Sequence, residues 1–232
     1  MKKGKSSLFI AYFLTILSVL AGLMGANRAI TVISEGLPLG YRHCIIIDAG
    51  HGGLDGGATS CTGKLESGIN LEIALRLEQM CHFLGYDTKM IRTEDISVYT
   101  KGETIAQKKV SDLKERVRIC NETENGVLLS IHQNNFTDSR YRGAQVFHTN
   151  TEESKELARQ IQSGFQSIDS GRTRQVKPAE GIYLMEHIQC NGVLIECGFL
   201  SNPEEEAKLR SETYQKQLCA VIAATVSNFL DG

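Results

Sequence analysis

Basic charge is not in excess in this chain. Its 25 lysines and arginines stand against 27 aspartates and glutamates, for a net charge of −2 over 232 residues. A nucleic-acid-binding surface needs a cationic footprint to displace counterions from phosphate, so that class of partner is excluded at the outset. The seven cysteines, Cys44, Cys61, Cys81, Cys120, Cys190, Cys197 and Cys219, contain no CxxC pair. They spell neither a zinc knuckle nor a disulfide framework. Most read as small buried residues, and one bridge outside the cytoplasm stays open without a named pair. No internal repeat and no low-complexity tract is present. The GK[ST] of a phosphate-binding loop is missing, and Asp55 stands where a dinucleotide fingerprint beginning at Gly50 and Gly52 needs another glycine, which argues against nucleotide binding.

Charge is also absent from Leu8–Ala26, "LFIAYFLTILSVLAGLMGA", which follows the three lysines of "MKKGKSS". About 20 apolar residues are needed to span a bilayer as a helix. Residues 1–26 therefore read as an N-terminal membrane anchor or a cleaved signal peptide. In either case the lysines stay in the cytoplasm and the rest is exported, to the outer face of the cytoplasmic membrane or the cell wall. Residues 27–41 read as a linker and 42–232 as one domain.

Within that domain, short apolar runs alternate with helical patterns. "CIIID", "YDTKMIRT", "VLLSI", "GAQVFHT" and "GVLIECGF" read as strands. "SGINLEIALRLEQMCHFLG" reads as a helix stopped by Gly85. A second helix in "GETIAQKKVSDLKERVRICNETENG" puts Leu113, Val117 and Cys120 on one face. "EESKELARQIQSGFQSI", "NPEEEAKLR" and "YQKQLCAVIAATVSNFL" supply three more, with Asn202 as cap before Pro203. Such alternation predicts an α/β fold: a single three-layer α/β/α domain around a mostly parallel twisted sheet.

Three strands end on polar side chains. "CIIID-AGH" ends at His51, "VLLSI-H" at His132 and "GVLI-E" at Glu196. Open α/β sheets bind ligands beyond the carboxyl ends of their strands, so these three converge on one edge. Glu66, between the glycine loop and the first helix, can fold back to the same spot. A single histidine after a strand is ordinarily a hydrogen-bonding residue; two of them with two glutamates suit a catalytic zinc site with one open position. The second carboxylate would then move protons. The glycines of "GHGGLDGGA" leave room for a substrate to reach His51. His43, His82, His148 and His187 show no such pattern and read as surface or satisfied core residues.

The stretches "IIIDAGHGGLDGGA", "LESGINLEIA", "IRTED", "LKERVRICN", "LLSIHQN", "GAQVF" and "VLIECGFLSNPEEE" run in order through the domain. Together they resemble the zinc-dependent N-acetylmuramoyl-L-alanine amidases of the amidase 3 type. The resemblance implies a cell-wall hydrolase acting on peptidoglycan, cutting between the muramic acid lactyl group and the first L-alanine of the stem peptide. It implies one Zn²⁺ held by His51, Glu66 and His132, with Glu196 as the catalytic glutamate. "ESKELARQIQ" and "ECGFLSNPEEE" are most similar to the amidases of spore formers that act on cortex peptidoglycan, where stem-peptide removal precedes muramic-δ-lactam formation. Asn134 and Asn135 are then candidate contacts for glycan or peptide. Arg92 and Arg116 match basic positions and face either a stem-peptide carboxylate or a structural ion pair. Asp48 is a candidate for fixing an imidazole tautomer. Gln133 departs from the small residue many members carry, and Gly192 from their proline. No long insertion follows "GAQVF" to plug the site, and no repeat-type wall-binding domain is present. Localisation then rests on the N-terminal segment or on an accessory protein. Two other classes stay open: a zinc peptidase cutting within stem peptides, and a non-catalytic wall-binding protein.

Overall fold

The computed structural model describes residues 43–168 and 174–231. The expected anchor or signal segment 1–26 and the linker 27–41 lie outside them. Among the described residues no helix is long and apolar enough to cross a membrane.

The elements follow the expected alternation. Strands β1 (Cys44–Ala49), β2 (Asp87–Met90), β3 (Gly126–Asn134), β4 (Gln145–His148), β5 (Lys177–Pro178) and β6 (Asn191–Phe199) form one sheet in the order β2-β1-β3-β6-β4-β5. β1 pairs in parallel with β2 and β3, β3 with β6, and β4 with β5; only β4 and β6 run antiparallel. Helices α1 (Glu66–Phe83), α2 (Ile105–Asn121), α3 (Glu152–Phe165), α4 (Tyr183–His187), α5 (Pro203–Leu209) and α6 (Glu212–Asp231) complete the layers.

Local chemistry explains several boundaries. Thr104 and Gln107 close a reciprocal capping box at the start of α2. The Thr151 hydroxyl accepts from Ser154 N–H to begin α3. Asn202 caps α5 with Pro203 in its first turn, as expected. Gly85, at φ 87°, takes the left-handed conformation that ends α1.

The two faces of the sheet are unequal. Ile45, Ile47, Leu129, Ile131 and Ile195 point to a large core closed by Ile73 and Leu77 of α1, Leu157 and Ile161 of α3, and Leu218 and Ile222 of α6. Each such side chain contributes roughly 1.5–3 kcal/mol by leaving water. Ile46, Leu128 and Leu194 point the other way, to a small core under Cys120 of α2 and Leu184 and Met185 of α4. The carboxyl half of this thinner face is where the polar residues gather.

Two expectations change. β3 does not stop before His132 but runs to Asn134, while β6 covers the expected "GVLIECGF" stretch to Phe199, so that Glu196 lies within the strand and not at its end. His132 and Glu196 therefore sit on the sheet's face as the last pair in regular register, before the ladder shifts between His132 and Asn134. The apolar stripe expected on α2 also fails in part. Leu113 is 36 % exposed, while Ser111, Arg116 and Cys120 are buried. The reason lies beneath the helix: the sheet there presents Asp48 and Ser130, so a buried arginine is matched where a leucine would not be.

Candidate active site

Residues Asp48–Ala58 leave β1 and build one wall of the site. His51 adopts a left-handed backbone, φ 62°, uncommon for a residue with a Cβ. Its carbonyl accepts from Arg116 Nη2 at 2.7 Å, and its Nδ1–H donates to Asp55 Oδ2 at 3.0 Å. Those two bonds hold the ring's other nitrogen, Nε2, 3.3 Å from Glu66 Oε2. Two of the loop's glycines are required by space. A Cβ on Gly50 would lie 2.2 Å from His132 Nε2, and one on Gly57, at φ 67°, would lie 2.6 Å from Glu66 Oε2 and 2.7 Å from His51 Cδ2.

Glu66 opens α1, where a carboxylate is favoured by the helix dipole. Its Oε1 accepts from Gln133 N–H at 3.1 Å, Asn70 Nδ2 at 3.2 Å and His132 Nδ1 at 3.0 Å. Its Oε2 accepts from Ala58 N–H at 2.9 Å. Burial alone would raise this carboxyl, but the bonds and charges of His132 and His51 outweigh it and hold it far below the usual range. Burial likewise pulls the His51 imidazole down, yet Glu66 and then Asp55 raise it to about 9. The two imidazoles meet edge-on with centroids 4.9 Å apart.

His51, Glu66 and His132 each offer a ligand atom, and the three atoms lie within 4.8 Å of one another. Nitrogen and oxygen ligands at about 2.0–2.2 Å from a tetrahedral ion lie roughly 3.5 Å apart. Two imidazoles and a carboxylate gathered this closely are a donor set of the zinc type, which a small inward movement of the side chains would close on a divalent cation.

Glu196 is the direct neighbour of His132 in the parallel register of β3 and β6. Its Oε2 is buried and bonded to nothing among the described residues. Burial pushes its carboxyl up to about 7, with Glu66 adding to the rise and the two histidines opposing it. A carboxyl poised near neutrality is suited to both accepting and returning a proton. It opens into a groove of about 340 Å³ whose lining includes His51, His132, Lys109, Asp112 and Arg116, with apolar walls from Leu54, Ile105, Leu113, Ile182 and Leu184.

A family model described as N-acetylmuramoyl-L-alanine amidase matches residues 45–228, nearly the whole described domain. The chain belongs to that family. The germination-specific N-acetylmuramoyl-L-alanine amidase of Bacillus subtilis is 36% identical over 189 residues, covering 80% of this chain and 78% of that protein. The CwlD amidase from Clostridioides difficile, solved in complex with the GerS lipoprotein, superposes with a TM-score of 0.78 at 38% identity, covering 82% of this chain and 98% of that one. An N-acetylmuramoyl-L-alanine amidase from Clostridium difficile 630 superposes with a TM-score of 0.70 at 32% identity, covering 82% and 97%. This amidase thus shares both sequence and a mostly parallel six-stranded architecture with peptidoglycan hydrolases.

The remaining sequence candidates divide. Arg92 of the amidase is turned away from the groove. It donates to the carbonyls of Ala49 at 2.7 Å, Glu94 at 2.9 Å, Gly50 at 3.0 Å and Ser67 at 2.8 Å. Arg116 borders the groove, but its guanidinium is occupied by Asp48, by Asp112 at 2.6 Å, and by the carbonyls of Ala49 and His51. Both arginines hold the loop that carries His51: of the two roles expected, Arg116 takes the structural ion pair and Arg92 is taken up by backbone carbonyls. Asn134 and Asn135 are not among the groove's lining residues; the Asn134 carbonyl accepts from Leu200 N–H at 2.8 Å. Asp48 bonds no imidazole. It accepts from Arg116 and from Ser130 Oγ at 2.6 Å and so reaches His51 through Arg116. The partner that does orient His51 is Asp55, itself paired with Lys109 Nζ at 2.8 Å. Its signal in the sequence was an acidic side chain four residues beyond the histidine, in a loop otherwise stripped to glycine.

Proposed function

We propose that the chain is a zinc-dependent amidase acting on the peptidoglycan of the spore cortex. The observation that carries the chemistry is the grouping of His51, Glu66 and His132 beside an unpartnered Glu196 Oε2. His51, Glu66 and His132 would hold the ion. Bound zinc supplies Lewis acidity to the reacting carbonyl and to water.

The chain's own residues do the rest. Glu196 accepts a proton from the attacking water, then delivers it to the nitrogen of the departing L-alanine. Its raised affinity for that proton makes both transfers feasible near pH 7. Asp55 fixes the His51 ring through Nδ1, and Gln133 N–H and Asn70 fix the Glu66 carboxylate. Leu54, Ile105 and Leu113, 59 %, 61 % and 36 % exposed, offer an apolar rim along which a stem peptide lies.

The cortex assignment is supported by the likeness to the germination-specific amidase. Removal of stem peptides there would precede muramic-δ-lactam formation. Export through the N-terminal segment places the domain outside the cytoplasm. The capture of the similar CwlD amidase with a lipoprotein supports a separate accessory protein for this chain.

The test is digestion of cortex peptidoglycan by the full chain with and without added Zn²⁺, with products read by mass spectrometry. Zinc-dependent release of stem peptides with a free L-alanine amine, leaving glycan intact, is expected. Cleavage within the stem would replace this reading with a peptidase. Glycan binding without any cleavage would replace it with a binding module.

A further inference from the structure

Away from the groove, the carboxyl end of α2 meets the segment leading into β6. Asn121 Nδ2 donates to the His187 carbonyl at 3.3 Å, and Gln189 N–H donates to Asn121 Oδ1 at 2.8 Å. These bonds flank two cysteines by one residue each. Cys120 is fully buried in the small core, and Cys190 packs against that core. Both line one open cavity, together with His43, Asn125 and Gln189. The Gln189–Asn121 bond joins the residues next to them in the chain, which sets the two cysteines on facing segments at the cavity wall. The buried thiols of Cys197 and Cys219 differ, since each donates to a backbone carbonyl, that of Ile195 or Ile73.

We propose that Cys120 and Cys190 are a redox pair that closes an intrachain disulfide when the chain meets an oxidised thiol compound, fastening α2 to the strand-leading segment behind the groove. The unequal burial sets the order of events. The Cys190 thiolate, reachable from the cavity, attacks one sulfur of the external disulfide and expels a thiolate. The Cys120 thiol then attacks the Cys190 sulfur of the mixed disulfide, loses its proton and expels the second thiol. One sulfur–sulfur bond breaks and one forms. The two cysteines are oxidised by two electrons, and the external disulfide is reduced to two thiols. The local chemistry favours this direction: the neighbouring Cys120 thiol holds Cys190 below the ordinary thiol range, and the same contact, with burial, pushes Cys120 up.

The consequence reaches the groove. One face of α2, from Ile105 through Lys109 and Asp112 to Arg116, lines it, as do Ile182 and Leu184. Both walls lead, within a few residues, to the two cysteines. A covalent link there holds the walls at their common end and restricts the unfolded chain.

The experiment uses the full chain, treated with oxidised glutathione, acid-quenched, alkylated in denaturant and digested with trypsin. Cys120 lies in peptide 119–140 and Cys190 in peptide 175–208, which also contains Cys197. The expected product joins these peptides, with fragmentation placing the link at Cys190. Cys120→Ser should trap glutathione on Cys190, while Cys190→Ser should leave Cys120 unmodified in the folded chain. The oxidised wild type should melt roughly 5–15 °C above the reduced form, a shift absent from Cys120→Ser. Alkylation of both cysteines after oxidant treatment would overturn the proposal. So would glutathione retained on Cys190 of the wild type, because the second exchange would then not occur.

Discussion

His132 and Glu196 stand side by side across β3 and β6, held there by the parallel register of the two strands. One ring faces Glu66 and the neighbouring carboxylate faces the groove, so one rung of the ladder supplies a ligand candidate and a candidate proton carrier. Replacing Glu196 by Gln keeps the shape and removes the proton exchange. Turnover should fall by about 10²–10⁴-fold while zinc per chain is unchanged. Stem-peptide release and metal analysis on the same sample check both halves; near-normal turnover would remove Glu196 from the mechanism.

Gly50 tests the fit of the site from the other side. Gly50→Ala places a methyl 2.2 Å from His132 Nε2. The ring has to swing away, and zinc content and activity should be lost together while the circular-dichroism spectrum is kept. Retained zinc in Gly50→Ala would mean that His132 is not needed to hold it.

Asp55→Asn leaves a side chain of the same size that no longer pulls on the His51 Nδ1 proton. Partners of this kind are worth about 10–100-fold in metal affinity, and a loss of that order is expected in a zinc titration. Lys109→Ala should cost far less, because its pair with Asp55 is half exposed and such pairs contribute about 0–1 kcal/mol. Equal losses in the two variants would point to general loosening of the loop.

Asp48 and Arg116 give a pH signature. Burial would raise the Asp48 carboxyl, but Arg116 first, then His132 and the Ser130 hydroxyl, outweigh it and hold it below the usual range. Its folded value is thus lower than the unfolded value of about 3.9. The stabilisation is complete above that value and is lost as pH falls through the folded one. Removing one partner of a buried pair costs about 3–5 kcal/mol. Asp48→Asn should therefore melt about 10 °C below wild type at neutral pH, and the gap should close in acid. A gap constant with pH would show that packing, rather than charge, sets the loss.

Much of this arrangement was legible in the residues. The run "CIIID" could only be a doubly buried strand, and Ile45, Ile46 and Ile47 are all fully buried. The grouping of His51, His132 and Glu196 could be expected because strand order brings strand ends together, and Glu66 joins them because the glycine loop folds α1 back to the same edge. What misled was the face of α2. Periodicity counts apolar side chains and cannot see that Asp48, near the end of β1, awaits Arg116. The same blindness hid Asp55 and left Arg92 and Arg116 between a substrate contact and an ion pair: a sequence shows that a guanidinium is present but not how many carbonyls surround it. Strand ends were misplaced for a related reason, since polar residues such as His132 and Gln133 continue a strand when the neighbouring strand offers matching hydrogen bonds.

The unequal faces of the sheet have an evolutionary corollary. The thick face, closed by α1, α3 and α6, holds most of the buried apolar side chains, whereas Leu54, Ile105 and Leu113 stand on the rim of the other. Changes at those rim positions carry little folding cost, since surface substitutions usually lie within about 0.5 kcal/mol of neutral. Substrate preference can therefore drift one side chain at a time while the fold is kept, and a small library at these three positions is the shortest route to amidases with altered appetite for differently substituted walls.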